Sequence, residues 1–127
     1  MDGKEKAWDI KERTFAFALK IINFANSIDF RNEVLRTLGR QLLRSGTAIG
    51  ANVEEAQAGQ SRADFISKYA IALKESRETG YWLRLLKEAG LSPQGDWEAL
   101  LQEADEIARI IGAIIVKAKV KSKKIKN

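Results

Sequence analysis

The stretch most suggestive of chemistry is LLRSGTAIGANVEEAQ, Leu42 to Gln57, where two glycines, a serine, a threonine and an asparagine are of the types that wrap a phosphate. A phosphate loop needs a strand before its glycines and a Gly-Lys-Ser/Thr ending. This segment has neither, and its apolar residues recur at helical spacing. Gly46 and Gly50 are therefore expected one turn apart on a helix, letting a neighbouring backbone come close. Arg36, Arg40 and Arg44 form an i, i+4 stripe whose guanidinium forks are suited to phosphate or to carboxylate. Glu75 and Glu78 lie close together on a helix, but paired carboxylates do acid–base work only in a cleft that raises a pKa. Ion pairing between helices or subunits is the simpler expectation for both sets, and Glu54 and Glu55 are expected to be solvated. The C-terminal KAKVKSKKIKN carries Lys117, Lys119, Lys121, Lys123, Lys124 and Lys126 with no acid.

Cysteine and histidine are both absent. That removes disulfides, thiolate nucleophiles, imidazole bases and nearly all zinc or copper chemistry. The expectation is a non-catalytic protein with no catalytic residues, no metal site and no cofactor.

With 127 residues, 45% apolar and 31% charged, the chain has the bulk of one soluble domain. No apolar run approaches the roughly 18 residues of a membrane span. The start, MDGKEKAWDIKER, lacks a signal-peptide apolar block, so a cytoplasmic location with no membrane partner is expected. The net charge of +5 sits in the tail: residues 1 to 116 hold 16 of the 22 basic residues against all 17 acids.

Only one proline occurs, and apolar residues recur at three- and four-residue steps rather than alternating. The pattern predicts helices over about Trp8 to Ser27, Arg31 to Gly59, Ser61 to Ala89, and from Ser92-Pro93 or Asp96 to about Val120. Ser61 with Asp64 three residues on reads as a capping box, and Gly90 as a stop. Short connections make this an all-α, antiparallel, up-down-up-down four-helix bundle over residues 1–120, with 121–127 a flexible lysine-rich tail whose basic segment begins at 117.

Two helices carry too many apolar faces for a lone bundle. In the first, Phe15, Ala18, Leu19, Ile22 and Ala25 make one face, and Phe17, Ile21, Phe24 and Ile28 another. In the third, a core side is opposed by Ile71, Glu78, Trp82 and Leu85, with Glu75 beside them. Large exposed apolar patches mark interfaces. The expected interface residues of a homo-oligomer are Phe17, Ile21, Phe24, Ile28, Ile71, Glu75, Glu78, Trp82 and Leu85, closing as a ring if the contacts are head-to-tail.

The segment from Gln41 to Leu86 resembles the four-helix-bundle family of 23S rRNA intervening-sequence proteins. The likeness is densest at Arg44, Ser45, Gly46, Ile49, Asn52, Glu54, Ser61, Phe65, Lys68, Ala72, Lys74, Glu75, Glu78, Thr79, Tyr81, Trp82 and Leu83. Ala48, Val53 and Gly80 depart from it, and Asp29-Phe30 stands where the family has a proline before the second helix. The resemblance implies a bacterial cytoplasmic protein assembled as a ring, usually a pentamer. It also implies kinship with the accessory proteins of diversity-generating retroelements, which work with a reverse transcriptase and nucleic acid. It offers no catalytic residues to carry over.

The leading expectation is a homo-oligomer that binds nucleic acid, structured RNA in the first place, with DNA as the other option. The contacts would come from the six tail lysines together with Arg36, Arg40 and Arg44. The alternative is a protein-interaction scaffold or accessory subunit docking a partner such as a reverse transcriptase.

Overall fold

The computed structural model describes residues 3–59, 61–91 and 95–126, and its side chains from Ile10 to Lys123 within those limits. Four α-helices follow one another: α1 Gly3–Asn26, α2 Glu33–Ala58, α3 Arg62–Ala89 and α4 Trp97–Lys126. No strand occurs among the described residues.

Each helix boundary has a local cause. The Asn32 side chain accepts hydrogen bonds from the amides of Val34 (3.0 Å) and Leu35 (3.1 Å), so α2 starts at Glu33 rather than at Arg31. Arg31 belongs to the preceding turn, where its amide and guanidinium bind the Asp29 carboxylate. Ser61 Oγ accepts from the Asp64 amide at 3.0 Å, as the capping signal predicts. Gly90 closes α3 at φ 66°, a left-handed conformation open to glycine. Asp96 caps α4 through the Ala99 amide. The alternative start at Ser92-Pro93 lies outside the described residues. α4 runs on through Lys126 where the sequence pattern places its end near Val120. Lysine is a good helix former, and cations near a helix C-terminus are stabilised by its dipole.

α1 and α3 each pack against both α2 and α4, without close α1–α3 or α2–α4 contact among the described residues. The core follows from this square. Phe17, Ile21, Leu42, Ile49, Val53, Tyr69, Leu83, Leu86, Ile107 and Ile111 are buried along its axis. The glycines of α2 set the register with α1. A Cβ on Gly46 would fall 2.9 Å from Ile21, one on Gly39 would meet Ile28 at 3.1 Å, and one on Gly50 would meet the Thr14 carbonyl at 3.3 Å. As α1 rises in number α2 falls, so the two helices run in opposite directions. Gly46 and Gly50 sit inside α2 and admit α1, not a phosphate.

One assignment is corrected by this packing. Phe17, Ile21, Phe24 and Ile28, expected at an intersubunit face, are core: the first three form the inner face of α1 and Ile28 is buried in the turn that follows it. Phe17 is 1% exposed, whereas Phe15 on the other stripe is 61% exposed, with Leu19 and Ile22 also in the open. Both stripes are apolar, so helical periodicity cannot rank them. The notches at Gly39 and Gly46 do, because they accept the isoleucines at positions 28 and 21.

Candidate nucleic-acid interface and assembly faces

Arg44 projects from α2 toward α3 and spends its guanidinium there. Nη1 donates to Glu75 at 3.2 Å and Nη2 to Glu78 at 2.6 Å. The Glu78 hydrogen bond is the main reason the Arg44 pKa rises, followed by the attraction of both carboxylates. Glu75 is only 7% exposed, and Arg44 provides its ion-pair partner. Beneath the pair, Thr79 Oγ1 donates to Ser45 Oγ at 2.9 Å in a fully buried contact between the same two helices. The inter-helix ion-pair expectation for Arg44, Glu75 and Glu78 is met within one chain, so these acids form a structural link rather than an open catalytic pair. Trp82 Nε1 donates to the same Glu78 oxygen at 3.3 Å, and its ring packs edge-on against Tyr81.

The remaining arginines of the stripe differ. Arg36 stays beside Glu33 one turn back, a half-exposed pair of small energetic value. Arg40 is exposed and has no ion pair among the described residues. The structure thus leaves Arg40, and Arg36 in part, free for an anion, and commits Arg44 to the fold.

Lys117, Lys119, Lys121 and Lys123 are all exposed on the last turns of α4; the side chains of Lys124 and Lys126 lie outside the described residues. Helical geometry turns the lysine run into two rows. Lys117 and Lys121 share one flank, and Lys119 and Lys123 the other, on either side of buried Ala118. Val116 and Val120 occupy the outward face between the rows, one turn apart and exposed.

Apolar side chains are also left in the open on α1 and α3. Phe15, Leu19 and Ile22 line the outer side of α1, and Ile71 and Tyr81 are exposed on α3, with Trp82 and Leu85 half-buried. Of the expected interface set, Ile71, Trp82, Leu85 and Glu78 keep some exposed surface; Glu75 is buried, and Phe17, Ile21, Phe24 and Ile28 are core. The sequence gives no hint of a further tie, Arg13 with Glu103 (3.1 Å) and Glu106 (3.2 Å), which holds α1 to α4. Partners ninety positions apart leave no spacing signal. Glu103 is the main cause of the raised Arg13 pKa.

No group of three or more acidic residues with metal-ligand geometry occurs among the described residues. No helix among them is long and apolar enough to cross a membrane.

This geometry defines a four-helix protein tied by glycine notches and buried polar links, with a cationic last helix. The chain belongs to the 23S rRNA-intervening sequence protein family, whose model matches residues 6–113. It is similar to a solved protein of unknown function from the S23 ribosomal protein family of Bacteroides thetaiotaomicron. That structure is 40% identical, with 87% of this chain and 97% of that chain covered and a TM-score of 0.76. No curated protein matches the chain. The lysine segment from 117 onward falls beyond the stretch that the family model matches.

Proposed function

We propose that this protein is a non-catalytic homo-oligomer of up-down-up-down four-helix bundles that binds nucleic acid through its cationic surface. The observation that carries this reading is the last helix, which places a run of lysines without a single acid on a formed helical surface. Contacts of this kind go to phosphates, and they position a nucleic acid without reading its sequence. The exposed stripe of α1, with the Ile71–Tyr81–Trp82–Leu85 side of α3, supports association with further copies, in a closed ring if one face meets the other head-to-tail. Several copies would multiply weak phosphate contacts through effective concentration. The ring is the assembly that fits this pair of unlike faces, and five subunits is the number the family resemblance suggests.

The test is binding of a structured RNA by the full chain and by a variant with Lys117, Lys119, Lys121 and Lys123 changed to glutamine. Glutamine keeps the helix and removes the charge. Loss of binding at unchanged native mass is expected; undiminished binding by the variant contradicts the reading.

A second reading is an accessory subunit that docks another protein, such as a reverse transcriptase. It is favoured by exposed Phe30, Val34 and Leu91, which lie at the end of the bundle opposite the lysines. Capture of that partner by the glutamine variant as well as by the parent distinguishes it.

A further inference from the structure

The seam between α3 and α4 is closed at one end by an ion pair, Lys87 with Glu98. The two helices run in opposite directions. α1 and α2 are antiparallel by their glycine notches, α2 and α3 by Ser45–Thr79 and Gln57–Tyr69, and α1 and α4 by Arg13–Glu103 and Phe24–Trp97. Moving from Lys87 to Arg62 is 87 − 62 = 25 residues, and from Glu98 to Lys123 is 123 − 98 = 25 residues. That count is about seven full turns, so each step returns to nearly the same face of its helix. The matched register therefore places Arg62 and Lys123 on the flanks of α3 and α4 that border the seam, and Lys119 stands one turn before Lys123 on the same flank. Half-buried Ser122 shows that α4 is still accompanied by the rest of the bundle at this level.

Two cations stand at the seam position equivalent to that of the Lys87–Glu98 ion pair, with no acid between them to balance their charge. Arg62, Lys119 and Lys123 have no hydrogen bond or ion pair among the described residues. The nearby acid, Asp64, turns its carboxylate toward Gly59 instead. The other lysine row, Lys117 and Lys121, lies on the flank toward α1 and has no such counterpart on α3.

We propose that Arg62, Lys119 and Lys123 form a phosphate-binding cleft for the backbone of a double-helical nucleic acid, and that this flank, not the lysine run as a whole, makes the contact. The proposal rests on the nucleic-acid reading above and names its contact residues and ligand form. Proteins that hold single strands add aromatic platforms on which bases stack. Among the described side chains the exposed aromatics, Phe15, Phe30 and Tyr81, are elsewhere, on α1, on the α1–α2 connection and toward the other end of α3. What remains at the seam is backbone recognition, which suits a duplex.

The experiment uses the full chain with a short DNA duplex, the RNA duplex of the same sequence and one of the single strands, each titrated with salt. A phosphate contact contributes roughly 0.9 to the log–log slope on B-form DNA. The Arg62→Gln, Lys123→Gln double variant is expected to flatten the slope by about 1.8 on that arithmetic, while Lys117→Gln with Lys121→Gln leaves it unchanged. Arg62→Glu is expected to abolish duplex binding and to raise the thermal midpoint, since it puts opposite charges on the two sides of the seam. A glutamate in the first turn of α3 also gains from the helix dipole, so the part of the rise owed to the seam is the part that Lys123→Gln removes. Equal flattening by both double variants overturns the seam assignment while leaving nucleic-acid binding intact. Preference for the single strand overturns the duplex assignment. Failure of the parent to bind any of the three at low salt removes the nucleic-acid reading and this proposal together.

Discussion

Two residues show opposite sides of the same rule, that a helical glycine is retained where a side chain has no room. At Gly46 an added Cβ meets two carbons of Ile21 at 2.9 Å, inside the core. At Gly80, in the middle of α3, it meets nothing within 4 Å. Alanine improves helix propensity by about 1 kcal/mol at either site, but overpacking a filled core costs about 1–3 kcal/mol. Gly80→Ala is therefore expected to stabilise by about 0.5–1 kcal/mol, and Gly46→Ala to give no gain or a net loss, by denaturant unfolding. Tyr69 supplies a second residue-scale prediction. It is buried among Phe65 and the core, and desolvation raises its phenol pKa above the ordinary value, against a smaller opposing effect of Gln57. The folded chain then holds this proton at pH values where the unfolded chain releases it. The contribution is fully present below the unfolded pKa of about 10 and is lost as pH rises toward the folded value. Phenolate absorbance of the native protein should show one of the two tyrosines titrating late, and Tyr69→Phe should remove part of the alkaline loss of stability.

At the scale of elements, the helices were legible wherever their signals were local. Ser61 capping three residues ahead and Gly90 at a left-handed stop are such signals, and both stand as the spacing predicts. The start of α2 was less legible, since Arg31, Asn32 and Glu33 are all plausible boundaries until Asn32 is seen to take two amides. Asn32→Ala should cost about 1 kcal/mol of stability, whereas Arg31→Ala, in the exposed turn, should be nearly neutral by the same unfolding measurement. The phase of α1 was not legible, because it has two apolar stripes and only the glycine notches of α2 distinguish them. The same cause hides the cationic seam. Arg62 opens α3 and Lys123 nearly ends α4, so their juxtaposition depends on a register that no single helix contains.

For the whole molecule, the square of helices leaves one apolar stripe of α1 in the open and encloses the other. That separation yields a paired test of assembly. Phe15→Asp is expected to keep helicity and lower the native mass, because the stripe it interrupts is outside the core; Phe17→Asp is expected to unfold the chain. If Phe15→Asp keeps the native mass of the parent, α1 is not an assembly face. Function at this scale was legible only as a class. The lysine run raises the expectation of an anionic partner, but partner identity depends on the surface that folding assembles from distant segments.

The proposed function requires the cationic surface to hold nucleic acid by its phosphates. The most direct test is the affinity of the full chain for a structured RNA across a range of salt concentrations. Tight binding at low salt and a linear fall of log K with log salt are expected. Absence of binding at low salt, or binding indifferent to salt, would contradict that function.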